Sequence, residues 1–319
     1  MRNVKNPTRV PIVKTTVTAN PAAYVDVLGG VPEMYPAFRG KGRTVEERAA
    51  AKVGILPVHW ASDGSRGRGD GPRALLAASI WIGGYEEDAG LDPAQIGLST
   101  LSPVMASTWE DSIAETERTT KKIVGAGLLP VVVGADRIAS IGAINAIREK
   151  DQSFAVVQFD ARPHIQNEGR LLGPITNFLG HRLALGKIPT MQVGLRGMAE
   201  IEIKTLSTGN ANFHTARRLA QRDPTSVAAD LLRSLPESIY ITVDLSVLDS
   251  VVMPAVELPL PFGLEPDFVT TVLRFLIASR RVVGMDVCGL SPISGNPAPN
   301  ALAAGILNRM LASYAKKLI

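Results

Sequence analysis

The chain has 319 residues, of which 45% are hydrophobic and 20% charged; 34 basic against 30 acidic side chains leave a formal charge of +4. Those numbers exclude disordered, collagen-like and fibrous classes, and a chain this long buries enough apolar surface to fold without disulfides or a structural metal. The one cysteine, Cys288, allows no internal disulfide, so a reducing, cytoplasmic location is expected. Basic residues are scattered, and pairs such as Arg217–Arg218 and Lys316–Lys317 are too short for a nucleic-acid stripe. The longest apolar stretch, Leu128 to Ala135, falls far short of the ~20 residues of a membrane span. Pro7, Pro11 and Lys14 interrupt any signal-peptide core. Neither nucleic acid, membrane nor secretion is expected.

Residues 1–48 read as an irregular arm, punctuated by prolines at 7, 11, 21, 32 and 36 and glycines at 29, 30, 40 and 42. From 49 to 319 the text reads as a single domain in which short apolar runs alternate with helical segments. The runs are Val53–Pro57, Pro130–Gly134, Phe154–Asp160, Met191–Arg196, Ile239–Asp244 and Val282–Val287. Near-continuous apolar runs of this length predict strands covered on both faces, as in a parallel sheet. Between them, Ser107 and Glu110 predict a capping box ahead of a helix to about Gly125. Asp223–Pro224 predicts an N-cap with proline in the first helical position. Phe268, Val272, Phe275 and Leu276 predict a helix over Pro266–Ser279, and Ala301–Lys317 a closing amphipathic one. Strand and helix in regular succession predict an α/β fold, a three-layer αβα sandwich around a doubly wound, mainly parallel sheet. In such sheets ligands bind at the carboxyl ends of the strands. That rule points to Asp136–Arg137, Asp160–His164, Asp244–Asp249 and Asp286–Gly289.

These loops resemble those of the ureohydrolases: arginases, agmatinases, formimidoylglutamases and their relatives. Gly-Ala-Asp136-Arg137-Ile resembles their G-G-D-H-S turn, Asp160-Ala-Arg162-Pro-His164 their D-A-H-x-D, and Thr242-Val-Asp244-Leu-Ser246-Val-Leu-Asp249 their S-x-D-x-D-x-x-D. Gly284-Met-Asp286-Val-Cys-Gly289 resembles G-x-D-x-V-E, Pro254–Leu264 a proline- and glycine-rich segment, and Arg66–Ala74 a substrate-side segment. The resemblance implies the arginase-like fold. It also implies two divalent ions, manganese or nickel, held by four carboxylates and two imidazoles around an attacking hydroxide. Position by position, most of that set is replaced. Arg137 stands for the first histidine, Arg162 for the second, His164 for the following aspartate, Ser246 for an aspartate and Gly289 for the guanidinium-gripping glutamate; Asp160 and Asp244 are retained. Leu172 stands where some members have a further histidine.

An intact site balances −4 against +4, whereas here two carboxylates face two guanidinium groups. No catalytic or metal-ligating residue is therefore assigned to this chain. Arg137 and Arg162 are expected to make forked ion pairs with Asp160 and Asp244 in place of the ions. Asp136, Asp249 and Asp286 are expected to cap backbone N–H groups, His164 to be hydrogen-bonded, and Cys288 to lie inert in a buried strand. The resemblance extends to two-subunit metformin hydrolases, in which a nickel-dependent chain is paired with a ligand-poor one. It implies a non-catalytic partner of a metal-binding ureohydrolase paralogue in a heterohexamer, with nickel or manganese held by the paralogue. The alternatives are a binding or regulatory module that grips an anionic ligand through Arg137 and Arg162, and a metal-independent amidine hydrolase using His164.

Overall fold

The computed structural model describes residues 30–61, 69–151, 153–165, 188–208 and 211–319. Of the arm read over 1–48, residues 1–29 lie outside these. Residues 30–48 hold more structure than their composition suggests. Ala37 and Phe38 are wholly buried in the core, and helix α1 (Val45–Ala49) starts at a capping box between Thr44 and Glu47.

Strand β1 (Val53–Val58) leads to helix α2 (Gly71–Ala78), strand β2 (Leu98–Thr100) and helix α3 (Trp109–Gly125). Then follow β3 (Leu129–Gly134), α4 (Ile138–Lys150), β4 (Phe154–Phe159), β5 (Thr190–Leu195), α5 (Glu200–Thr208), β6 (Ala211–Thr215) and α6 (Ala216–Leu219). The chain ends with α7 (Pro224–Ser234), β7 (Ser238–Asp244), α8 (Pro266–Ser279), β8 (Arg281–Cys288) and α9 (Ala298–Leu318). All six apolar runs are strands. The edge strands β2 and β6 were not foreseen: one has three residues, and the other, with Asn212 and His214, breaks the apolar pattern. The cap of α3 sits one residue later than expected, on Thr108, whose hydroxyl accepts from the Asp111 amide. Asp223 caps α7 as read, accepting from the Ser226 amide with Pro224 behind it.

The sheet runs β2-β1-β3-β8-β7-β4-β5-β6, and every pair is parallel. Alternate residues face opposite ways, so each strand feeds two cores. Val53, Ile55, Val131, Val133 and Val157 pack with α2, α7, α8 and α9 on one face. Leu56, Val58, Val132, Val156 and Tyr240 pack with α3 and α4 on the other. This is the three-layer αβα architecture that the alternation predicts. α3 and α4 cross closely at Gly142, where a Cβ would lie 2.5 Å from the Ile113 carbonyl oxygen.

Candidate active-site remnant at the carboxyl edge

Strand order creates the site. β3 and β4 are consecutive in sequence, but β8 and β7 lie between them, so the chain leaving β3 and the chain leaving β4 open a crevice above those two strands. Gly134, Cys288 and Asp244 stand level across β3, β8 and β7, and Phe159 of β4 stands level with Val243. From the end of β3 to the end of β7 is two strand spacings, about 10 Å. A long side chain is needed to cross it, and Arg137 does so.

The Arg137 guanidinium lies among the ends of three strands, its side chain 14% exposed. Its Nε and Nη2 both donate to Asp244 Oδ2, at 3.2 and 2.6 Å. Nη1 donates to His164 Nδ1 at 3.1 Å, and Nε stands 3.7 Å from Asp160 Oδ2. Burial opposes the charge on Arg137, but Asp244 and then Asp160 outweigh it and raise its pKa further. An imidazole that accepts at Nδ1 carries its proton on Nε2, and Nε2 faces Asp160 Oδ2 at 3.3 Å. Burial, with the Arg137 charge behind it, pushes the His164 pKa down, so the ring is neutral. His164 also holds a left-handed backbone, φ 51°, a conformation in which His is enriched.

The two carboxylates are saturated. Asp160 accepts from the Arg162 amide (3.0 Å), the Ser246 hydroxyl (3.2 Å) and Gln158 Nε2 (3.1 Å). Burial pushes its carboxyl up, but His164, Arg137 and the Arg162 amide hold it well below the usual range. Asp244 also accepts from the Ser246 amide at 2.8 Å.

Three sequence expectations need correction. Arg162 pairs with neither aspartate. Only its amide reaches Asp160, while its guanidinium turns to the rim and donates to the Leu258 carbonyl at 3.1 Å. One buried arginine already fills the crevice, and burial plus the Arg137 charge disfavour a second cation inside. The Arg137–Asp244 pair is not a two-to-two fork, because both donors converge on one oxygen. Asp286 does not cap backbone. It accepts the hydroxyls of Tyr240 and Thr242, each at 2.7 Å.

Two carboxylates do cap backbone amides. Asp136 accepts from the Ile138 amide (2.9 Å), and Asp249 from the amides of Val251 (2.9 Å) and Gly263 (2.8 Å). Cys288 is buried, and burial with Asp244 and Asp286 pushes its thiol up, which fits an inert role. Gly289 has φ +87°, and a Cβ there would stand 2.9 Å from Asp244 Oδ1. Arg66, Arg68 and Leu172 lie outside the described residues.

Residues that sequence reasoning missed support the site from below and beside it. Gln158 and Gln192 pair in register on β4 and β5, and Gln192 Nε2 donates to the Pro163 carbonyl at 3.1 Å, fixing the turn before His164. Each is a lone polar letter in an apolar run, a signal that was available. Arg196, at the end of β5, donates to the carbonyls of Ser246 (2.8 Å), Leu248 (2.9 Å), Leu260 (3.0 Å) and Pro261 (3.0 Å). No sequence pattern announces that contact.

Residues 51–312 match the sequence profile of the arginase family. The chain belongs to the arginase family. It is 29% identical over 248 residues to an N(1)-aminopropylagmatine ureohydrolase of Thermus thermophilus, covering 76% of this chain and 83% of that one. It is 26% identical over 287 residues to a human mitochondrial guanidino acid hydrolase, covering 84% and 78%. The fold superposes on a proclavaminate amidino hydrolase of Streptomyces clavuligerus with a TM-score of 0.78 at 19% identity, covering 89% and 98%.

A dinuclear metal centre, which the family implies, does not fit these side chains. Two carboxylates and one neutral imidazole face each other across a guanidinium that cannot deprotonate. A divalent ion within ~4 Å of that guanidinium would meet several kcal/mol of repulsion even at an effective dielectric of about 20. Among the described residues, no three His, Cys, Asp or Glu are grouped to hold a metal ion.

Proposed function

We propose that this arginase-family chain is the non-catalytic subunit of a heteromeric hydrolase of guanidino or biguanide compounds, similar to the ligand-poor subunit of two-subunit metformin hydrolases. A metal-binding ureohydrolase paralogue, carrying nickel or manganese, performs the hydrolysis in a heterohexamer in the cytoplasm. The observation that carries this reading is the Arg137 guanidinium at the centre of the crevice, bonded to Asp244 and His164. The core strands stay predominantly apolar, with their buried carboxylates, Asp244 and Asp286, confined to the carboxyl ends of β7 and β8, which supports a continuing demand for the scaffold. The relatives act, by their names, on guanidino compounds, which gives the substrate class.

The two alternatives fare worse against the geometry. A module that grips an anionic ligand through both arginines needs them side by side, but Arg137 turns three of its N–H groups to Asp244 and His164 while Arg162 stands apart on the Leu258 carbonyl. A metal-independent hydrolase using His164 as base needs a free imidazole nitrogen, and Nδ1 is taken by Arg137.

The decisive experiment expresses the chain alone and together with a paralogue that carries intact G-G-D-H and D-A-H-x-D motifs. The expected result is a stable mixed assembly with two nickel or manganese ions per paralogue chain and none per copy of this chain. Guanidino-compound hydrolysis is expected only from samples containing the paralogue, and at a higher rate in the mixed assembly. Turnover by the lone chain, or a paralogue whose activity and assembly ignore it, refutes the reading.

A further inference from the structure

We propose that the Arg137 guanidinium is the resident cation of this crevice, a tethered ion that joins the ends of β3, β4 and β7 and makes the fold independent of metal. The inference concerns this chain by itself and stands apart from the heteromer.

Three observations carry it. Arg137 follows β3, Asp160 follows β4 and Asp244 ends β7, so one side chain ties together elements that are far apart in sequence. Both carboxylates are deeply buried, at 1% and 2% exposure, and among the described residues Arg137 is the one cation whose charged atoms reach both of them. His164 completes the enclosure in the tautomer that accepts from Arg137 and turns Nε2–H to Asp160. Among the described residues Nε2 finds no well-aligned hydrogen-bond partner. Its attraction to Asp160 depends on the ring being held in place, and Arg137 holds it.

The physical consequence is asymmetric. Removing Arg137 leaves two buried carboxylates without their counter-charge and His164 without its donor, which is far more damaging than removing a whole buried ion pair. The wild-type chain should be indifferent to divalent ions, because the guanidinium already supplies the positive charge between Asp160 and Asp244.

Thermal unfolding of the full chain tests this in EDTA, in millimolar MnCl2 and in millimolar NiCl2. Wild type is expected to unfold at the same temperature in all three. Arg137→Ala is expected to unfold roughly 5–8 °C lower. If Arg137→Ala does not fold at all, Arg137→Met decides against Arg137→Met/Asp244→Asn. The double variant removes cation and anion together and should fold and unfold at the higher temperature. The proposal is overturned by saturable stabilisation of wild type by Mn2+ or Ni2+, or by an Arg137→Ala variant as stable as wild type. It is overturned equally by a double variant that is no more stable than Arg137→Met.

Discussion

At the scale of single residues, the groups of this site constrain one another, and Gly289 shows how. Its φ of +87° lies in the left-handed region that disfavours side chains, and a Cβ would stand 2.9 Å from the Asp244 carboxylate. The loop after β8 has thus settled into a backbone that only glycine takes without strain. Putting back the family's glutamate would add strain, crowd Asp244 and set a second negative charge beside it. Gly289→Glu is expected to cost about 2 kcal/mol or more, read as a lowered urea midpoint, and to give the lone chain no hydrolase activity. A variant as stable as wild type would show that this loop reshapes freely. Ser246 is a milder case, since its amide and hydroxyl serve Asp244 and Asp160 together.

At the scale of elements, the segment after β7 is shaped from outside itself. Residues 245–264 have little regular structure, one 3-10 turn over Leu245–Val247 and a single bridge between Leu248 and Leu264. What fixes them is Arg196, just past β5, with its guanidinium on five of their carbonyls, and Asp249, with its carboxylate on two amides. A charged donor bonded to backbone carbonyls contributes more than a neutral one, roughly 1.5–3 kcal/mol in net terms. Lysine keeps the charge but lacks the fork that spans Ser246, Leu260 and Pro261 at once. Arg196→Lys is therefore expected to lower stability by about 2 kcal/mol and to speed amide hydrogen exchange at Val247, Leu248 and Leu264. Unchanged exchange at those amides would mean the loop holds its own shape. Phe262, 83% exposed with φ 62°, lies in the same segment, so this rigid framework also holds a bulky residue in a strained conformation.

At the scale of the whole molecule, the buried charges set how stability responds to pH. Burial pushes the carboxyls of both Asp136 and Asp286 up to about 6, and the nearby Asp244 adds to each shift. Their folded pKa values exceed the unfolded ones, so between pH 4 and 6 the folded chain binds more protons than the unfolded chain. The stability these two groups contribute is complete below about pH 4 and is lost as pH rises through 6. Asp160 acts oppositely: its pKa is held down, and its contribution is lost only as pH falls below the usual carboxylate range. His164, also held down, adds stability as pH rises toward its unfolded value near 6.5. Asp136→Asn keeps an acceptor for the Ile138 amide and removes one titration. It is expected to match wild type near pH 4 and to exceed it at pH 7 by about 1–3 kcal/mol, measured by urea unfolding at both values. Parallel curves for the two proteins would show that the Asp136 carboxyl titrates normally.

The sequence by itself determined the layers, the parallel sheet and the identity of the crevice. Apolar runs such as Pro130–Gly134 and Phe154–Asp160 are buried on both faces whatever their neighbours, and periodicity reports burial directly. It also placed a fixed positive charge, Arg137, at the carboxyl edge just after β3, where the strand-end rule puts the site. Only the tertiary structure decided which arginine enters. Arg137 and Arg162 are equivalent as letters, yet one bridges three strand ends while the other leans on the Leu258 carbonyl. The reason is electrostatic and spatial. β8 and β7 come between β3 and β4 only in three dimensions, the space above them holds one buried cation, and the charge of the first to enter keeps the second at the rim.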